Sequence, residues 1–178
     1  MTLNKLLLLI ILTSIVLLSC KSKQNTVAEK TNIEAKAGYF TYKTNIRKHN
    51  NEETFNAGYL TIYPETDGSL LFYLEVSIGA PSYNSGRTYG RLNPIPHKSS
   101  VFEYDSEGCN WQITFKNNSI TIHSKNDDSN INCSFGGHNV SAFGDYKKEG
   151  NTKPSYFSNY QDEKIYFNKT KPEDYNNY

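Results

Sequence analysis

Four histidines are the side chains of this sequence best suited to catalytic or metal chemistry. They are His49, His97, His123 and His138, and none stands four residues from another or beside a second ligand at metal spacing. A hydrolase needs either a nucleophile with a base and an orienting group, or a metal held by three or four ligands. The sequence shows neither arrangement. We therefore expect no catalytic residue, no metal site and no cofactor.

The first 20 residues have the pattern of a bacterial export signal. Lys5 precedes an apolar run from Leu6 to Leu18, which has the length of a signal-peptide core and is too short to span a membrane comfortably. Leu17-Leu18-Ser19-Cys20 resembles the lipobox of bacterial lipoproteins, in which the cysteine receives lipid and becomes the first mature residue. We expect residues 1–19 to be a lipoprotein signal peptide and Cys20 to be lipidated. The alternative is a short anchor helix followed by a chance cysteine.

Residues 20–37 contain no aromatic and few large aliphatic side chains, so we expect a flexible linker between the lipid and the domain. Removal of residues 1–19 takes away Lys5 alone, so the 19 basic residues become 18 against 18 acidic ones. This balance does not favour nucleic acid as a partner. Lipoproteins that some bacteria display on the cell surface resemble one another in carrying acidic residues just after the lipidated cysteine. In this chain the basic residues Lys21 and Lys23 stand there instead. We expect an outer-membrane protein that faces the periplasm.

Two cysteines remain after lipidation of the first. Cys109 shares the alternating parity of Trp111, Ile113 and Phe115, which is the pattern of a half-buried strand, and Cys133 shares that of Phe135. An even number of cysteines in an oxidising compartment favours a disulfide between Cys109 and Cys133. The alternative is two reduced, buried cysteines.

Short strand patterns separated by turn residues recur through residues 38–148, without a convincing helical period. The longest strand pattern runs from Ser69 to Ile78. A further strand pattern, Arg87 to Leu92, is followed by a strand-breaking region from Asn93 to Pro96. We predict an all-β domain over 38–148, an antiparallel barrel or sandwich of about eight strands with one internal disulfide. Residues 149–178 form a polar, Tyr-rich tail. A loosely ordered tail is favoured over one that docks on a partner or on its own domain.

Two motifs resemble known families. Cys133-Ser-Phe135-Gly136, followed by Val140, Gly144 and Tyr146, is similar to the closing motif of small envelope proteins with a calycin-like or lysozyme-inhibitor-like β-barrel. Ser85-Gly86-Arg87-Thr88-Tyr89 resembles the S-G-x-x-Y loop of membrane-bound inhibitors of c-type lysozyme, with Lys98 further on. In that family the loop serine and a later lysine engage the catalytic carboxylates of lysozyme. The resemblance implies partner-binding roles for Ser85, Gly86, Tyr89 and Lys98.

The leading hypothesis is a lipid-anchored envelope module that binds another protein, most concretely a lysozyme-like cell-wall hydrolase that it inhibits. This hypothesis requires Ser85 and Lys98 to lie close together and to point outward. The alternative is a calycin-like carrier with a small apolar ligand in the barrel mouth, which requires an interior that side chains do not fill. An enzyme is the third possibility.

Overall fold

A computed structural model describes residues 33–44, 46–49, 52–106, 108–125 and 135–175. The part of the chain from Lys36 onward forms one compact unit. The predictions for the signal peptide, for Cys20, for most of the linker and for Cys133 lie outside the described residues. No helix in the described ranges has the length and apolar character needed to cross a membrane.

The described strands form an all-β fold with a closed antiparallel barrel. The order around the barrel is β1-β10-β9-β8-β7-β6-β5-β4, and β4 pairs with β1 to close it. This confirms the prediction of an all-β fold with about eight barrel strands, and it selects the barrel over the sandwich. The barrel strands are β1 (Gly38–Lys43), β4 (Asn56–Pro64), β5 (Leu70–Ile78), β6 (Ser85–Ile95), β7 (Lys98–Ser106), β8 (Cys109–Phe115), β9 (Ser119–Ser124) and β10 (Gly144–Gly150).

Two small hairpins and a 3-10 turn accompany the barrel strands. A hairpin of β2 (Arg47–His49) and β3 (Glu52–Thr54) lies between β1 and β4 in the chain. A second hairpin, β11 (Tyr156–Ser158) and β12 (Lys164–Tyr166), follows β10, and a 3-10 turn, η1, covers Pro172–Asp174. Because Cys133 is outside the described residues, the disulfide with Cys109 stays a prediction.

Large apolar side chains fill the interior of the barrel. The alternating residues of each strand point inward, as the period of two requires. Trp111 is central, with its ring centroid 6.3 Å from that of Phe72 and 5.1 Å from that of Tyr104. Full burial of side chains of this size stabilises a fold by about 1.5–3 kcal/mol each. The largest fully buried interior residues include Trp111, Tyr146, Phe40, Phe72, Phe102, Leu60, Ile62 and Ile113.

A second apolar cluster lies outside the barrel wall. On β5, Leu71 and Tyr73 have the parity opposite to the interior residues, yet both are buried. Phe157 and Phe167 of the C-terminal segment cover them, and the Phe157 ring stacks on Tyr73 at 4.1 Å between centroids. We call this cluster the outer aromatic layer: Leu71, Tyr73, Tyr89, Phe157 and Phe167, with Tyr63, Ile165 and Tyr175 packed against it.

The described part of the tail therefore docks on its own domain. The favoured expectation of a loosely ordered tail is wrong there. The reason is that Phe157 and Phe167 bury almost their whole surface, which offsets the loss of chain entropy on ordering a mostly polar segment.

Candidate functional site

The residues predicted to act together, Ser85 and Lys98, lie at opposite ends of the barrel. Ser85 begins β6 and pairs with Ser77, whereas Lys98 begins β7 and pairs with Ile95 at the far end of β6. The 11 residues of β6 span roughly 30 Å along the strand at about 3.3 Å per residue. Both residues are exposed. The expectation that they lie close together is wrong, because a continuous strand separates them.

Gly86 and Tyr89 are occupied by contacts within the fold. Gly86 is buried, and a Cβ atom there would lie 3.0 Å from the Cα of Gly136. Tyr89 is 3% exposed, and its hydroxyl donates a hydrogen bond of 2.7 Å to the carbonyl oxygen of Thr170. The structure therefore places Gly86 at a close backbone approach and Tyr89 beneath the C-terminal segment.

The pairing between β6 and β7 stops partway along both strands. On the side of β6 that faces β7, the last described pair before Ser85 is Asn93 with Glu103. Arg91 and Asp105 would form the next hydrogen-bonded pair in this register, and they do not pair. On its other side, β6 pairs with β5 from Leu92 back to Ser85. Among the described residues, the β6–β7 ladder therefore covers only the last part of β6, from Asn93 to Ile95.

The parity of the β5–β6 ladder shows which backbone groups of β6 face the β7 side. The amide of Ile78 donates to the carbonyl of Asn84 at 2.9 Å, so even-numbered residues of β6 bond to β5. Both backbone groups of the intervening residues then point to the β7 side, since successive residues of a strand alternate. These residues are Arg87, Tyr89 and Arg91, and no residue in the described ranges pairs with them on that side.

A cleft of about 1150 Å³ lies along this stretch of β6. We call it the seam cleft. Phe135 and Gly136 lie at the end near Ser85, where the amide of Gly137 donates to the carbonyl of Ser85 at 3.1 Å. One wall is β6 and the C-terminal segment, and the other is the end of β7. The lining residues include Arg87, Tyr89, Arg91, Asn93, Tyr104, Asp105, Ser106, Tyr160, Glu173 and Tyr175.

Small residues on β6 make room for a polar floor. A Cβ atom at Gly90 would lie 2.6 Å from the ring of Tyr104 and 2.7 Å from that of Phe72, so only glycine fits beneath them. The Tyr104 hydroxyl lies 3.3 Å from Oγ1 of Thr88. The floor of the seam cleft thus presents hydroxyl groups that both donate and accept hydrogen bonds.

Ion pairs fix the outer rim of the seam cleft. Arg91 donates to Glu65 at 2.8 Å and to Glu173 of η1 at 2.7 Å, and Arg87 donates to Glu75 at 2.8 Å. The pKa of Glu173 is lowered, first by a hydrogen bond from its own backbone amide and then by Arg91. The paired charges hold η1 against β6, so one wall of the cleft belongs to the C-terminal segment.

The described ranges contain no group of three His, Cys, Asp or Glu side chains that could hold a metal ion. No family model matches this chain, and no curated protein or solved structure matches it. Its function is therefore inferred from its own residues.

The seam cleft was not predicted from the sequence, although the residues of β6 carry a signal for it. Gly86, Thr88 and Gly90 alternate with Arg87, Tyr89 and Arg91, which places small residues on the inward face and large ones outside. Small inward residues indicate that side chains from elsewhere fill the space next to them. The position at which β7 leaves β6 has no counterpart in the local pattern.

Proposed function

We propose that this chain is a non-enzymatic binding module of the bacterial envelope that captures an extended segment of a partner protein in the seam cleft. Lipid on Cys20 holds it at the outer membrane, facing the periplasm. The observation that carries the proposal is the end of the β6–β7 ladder at Asn93 and Glu103, beside a cleft of about 1150 Å³.

The volume and the lining of the cleft favour a polypeptide over a small apolar ligand. Small-molecule pockets have volumes of about 300–1,000 Å³ and are lined mainly by apolar side chains. The seam cleft is larger, and arginine, aspartate, serine and asparagine line much of it. A ligand inside the barrel would have to displace Phe72, Phe102 or Trp111, all of which are almost completely buried. These features count against the carrier alternative.

A lysozyme-like hydrolase remains the most concrete partner suggested by the sequence resemblance. The two-residue contact that the resemblance implies is not assembled, because Ser85 and Lys98 stand at opposite ends of β6. We propose that such a partner is engaged through the seam cleft instead. A turbidity assay with c-type lysozyme and a cell-wall suspension tests this case directly. Absence of inhibition by the folded chain at micromolar concentration removes lysozyme as the partner.

Site-specific photo-crosslinking in the full chain tests the proposed function. A benzophenone amino acid at Asp105, an exposed residue that lines the seam cleft, should form an adduct with one partner protein in intact cells. The matched control is the same substitution at Lys147, which is exposed on β10. Mass spectrometry of the Asp105 adduct should place the crosslink within one continuous segment of the partner. Equal adducts from both positions, or none from Asp105, would overturn the proposal.

A further inference from the structure

We infer that the C-terminal segment, residues 151–175, is a latch that releases from the barrel as one unit while the barrel stays folded. We call these residues the C-terminal latch. The docked latch covers Leu71, Tyr73 and Tyr89 on the outer face of β5 and β6, and the released latch leaves this apolar face in contact with solvent. The inference goes beyond the proposed function and does not depend on it, because the contacts that carry it lie in the outer aromatic layer.

The barrel is complete before the C-terminal latch begins. Its last strand, β10, ends at Gly150 and pairs with both β1 and β9. The two strands of the latch, β11 and β12, form a sheet of their own that is separate from the barrel. Release of the latch therefore leaves the ladders of the barrel in place.

The C-terminal latch makes main-chain hydrogen bonds within itself. The amide of Phe167 donates to the carbonyl of Ser155 at 3.2 Å, and the amide of Asn159 donates to the carbonyl of Glu163 at 3.0 Å. A hairpin of two strands is only marginally stable in water when it is isolated. The hydrogen bonds of the latch therefore depend on docking, and they should open together when the latch leaves the barrel.

The apolar contacts of the C-terminal latch are separate from the barrel core. Phe157 stacks on Tyr73 at 4.1 Å between ring centroids, and Phe167 stacks on Tyr63 at 5.3 Å. These contacts lie outside the barrel wall, whereas the core around Trp111 lies inside it. Proteins open locally in contiguous units that have their own packing. The outer aromatic layer can therefore open without disturbing the interior of the barrel.

Polar contacts add little to the docking of the C-terminal latch, and one buried hydroxyl opposes it. The Tyr89 hydroxyl donates to the carbonyl of Thr170 at 2.7 Å, and Arg91 donates to Glu173 at 2.7 Å. The Glu173 side chain is 59% exposed, so water and salt weaken this ion pair. Docking also buries the Tyr73 hydroxyl, which has no hydrogen-bond partner among the described residues. Release returns that hydroxyl to water, and two aromatic anchors provide most of the attachment.

Amide hydrogen exchange in the ¹⁵N-labelled full chain is the first part of the test. The amides of Asn159, Phe167 and Thr170, which are hydrogen-bonded within the latch, should share one protection factor. This factor should be at least about 100-fold below that of the amides paired between β4 and β5, because the latch opens without the barrel. Equal protection of the latch and of these strands would show that both open together, and it would overturn the inference.

A matched pair of variants at neighbouring positions is the second part. Phe167 is 3% exposed, whereas Tyr166 beside it is 39% exposed. Phe167→Ala removes an anchor and should speed amide exchange in the latch by at least about 100-fold. The fluorescence of Trp111, the sole tryptophan, should stay that of the folded barrel. Tyr166→Ala should leave latch exchange within about threefold of the wild type, as expected for an exposed side chain. Loss of the folded Trp111 signal in Phe167→Ala would reject an independent latch.

A double variant shows whether release is complete. In Phe167→Ala the latch is already free, so the addition of Phe157→Ala should leave the midpoint of the barrel's thermal unfolding unchanged. The dye 8-anilinonaphthalene-1-sulfonate should fluoresce more strongly with Phe167→Ala than with Tyr166→Ala, because release uncovers Leu71. A further fall of the midpoint in the double variant, or equal dye fluorescence, would contradict the inference. The Asp105 crosslink is a separate measurement, so an adduct there without independent latch exchange would reject the latch alone.

Discussion

Tyr73 of β5 and Tyr89 of β6 stand directly opposite each other on the outer face of the barrel, and only one of their hydroxyl groups has a hydrogen-bond partner. Both rings pack against Phe157, at 4.1 Å and 4.9 Å between centroids. The Tyr89 hydroxyl donates to the carbonyl of Thr170, whereas the Tyr73 hydroxyl is buried without a partner in the part of the chain that the structure describes. The same chemical group therefore has opposite effects on stability at two neighbouring positions.

This pair makes a matched prediction for the free energy of unfolding. Tyr73→Phe keeps the stacked ring and removes a hydroxyl that is desolvated on folding without gaining a hydrogen bond from the described residues. We therefore expect stabilisation of about 1 kcal/mol. Tyr89→Phe leaves the Thr170 carbonyl without its donor, and we expect destabilisation of about 1 kcal/mol. Urea unfolding of the purified chain measures both. Equal changes of the same sign would contradict the account of the outer aromatic layer.

Buried tyrosines should make the fold sensitive to alkali. Burial raises the pKa of the phenols of Tyr73, Tyr89 and Tyr146 in the folded chain. A raised pKa means that the folded state favours the protonated phenol, so this stability is fully present below the ordinary tyrosine pKa of about 10 and is lost as the pH rises above it. We expect the urea concentration at the unfolding midpoint to decrease as the pH is raised from about 9 to about 11, a range that brackets that pKa.

Tyr146→Phe provides the check on the alkaline prediction. This residue is fully buried in the barrel, and its hydroxyl donates to the carbonyl of Ala142 at 2.8 Å. The variant should be less stable at neutral pH and should lose less stability per pH unit above about pH 10, the ordinary pKa of tyrosine. A slope equal to that of the wild type would show that this phenol does not contribute.

The sequence predicted an all-β fold, a barrel or a sandwich of about eight strands, because its strands obey a simple alternation. Leu70, Phe72 and Leu74 point inward as their spacing indicates. The same strand also carries Leu71 and Tyr73 on its other face, which is unusual for a strand with one solvated side. That second apolar stripe was the signal for a cover outside the barrel, and the C-terminal segment supplies it. The segment itself is too polar for its docking to be read from composition.

The separation of Ser85 and Lys98 could not be read from the sequence because the region Asn93 to Pro96 looks like a strand breaker. In the structure β6 continues through Pro94 to Ile95. Pro94 is tolerated because even-numbered residues of β6 face β5, and the β5 ladder has already ended at Leu70 with Leu92. A missing amide at that position therefore breaks no hydrogen bond.

Lipidation of Cys20 should fix the chain to membranes. We expect the mature chain to fractionate with membranes and to carry lipid on Cys20, because the apolar run and the lipobox together form the signal. Cys20→Ser should give a soluble, unprocessed or misplaced protein, as judged by fractionation and intact mass. Membrane attachment of a cleaved chain that carries no lipid would rule this out.

Cys109 and Cys133 should form a disulfide in the exported protein. The bridge would close a loop of about 23 residues and stabilise the fold by about 3 kcal/mol, mainly by restricting the unfolded chain. Peptide mapping without reduction should recover the linked pair, and reduction should lower the melting temperature. Recovery of both thiols free after expression in an oxidising compartment would refute the prediction. Cys109→Ser with Cys133→Ser controls for effects of the reductant elsewhere.

Closure of the barrel joins its first strand to its last. Thr41 of β1 donates to Glu149 of β10 at 2.7 Å, across 108 positions of the chain. Contacts between residues so far apart in sequence form late, so folding on the scale of about milliseconds to seconds is expected. Until β10 is available, β1 and β9 each lack a neighbour, and a chain interrupted before Gly144 would expose two unpaired edges to other molecules. Pairing of the final barrel strand covers both of these edges at once.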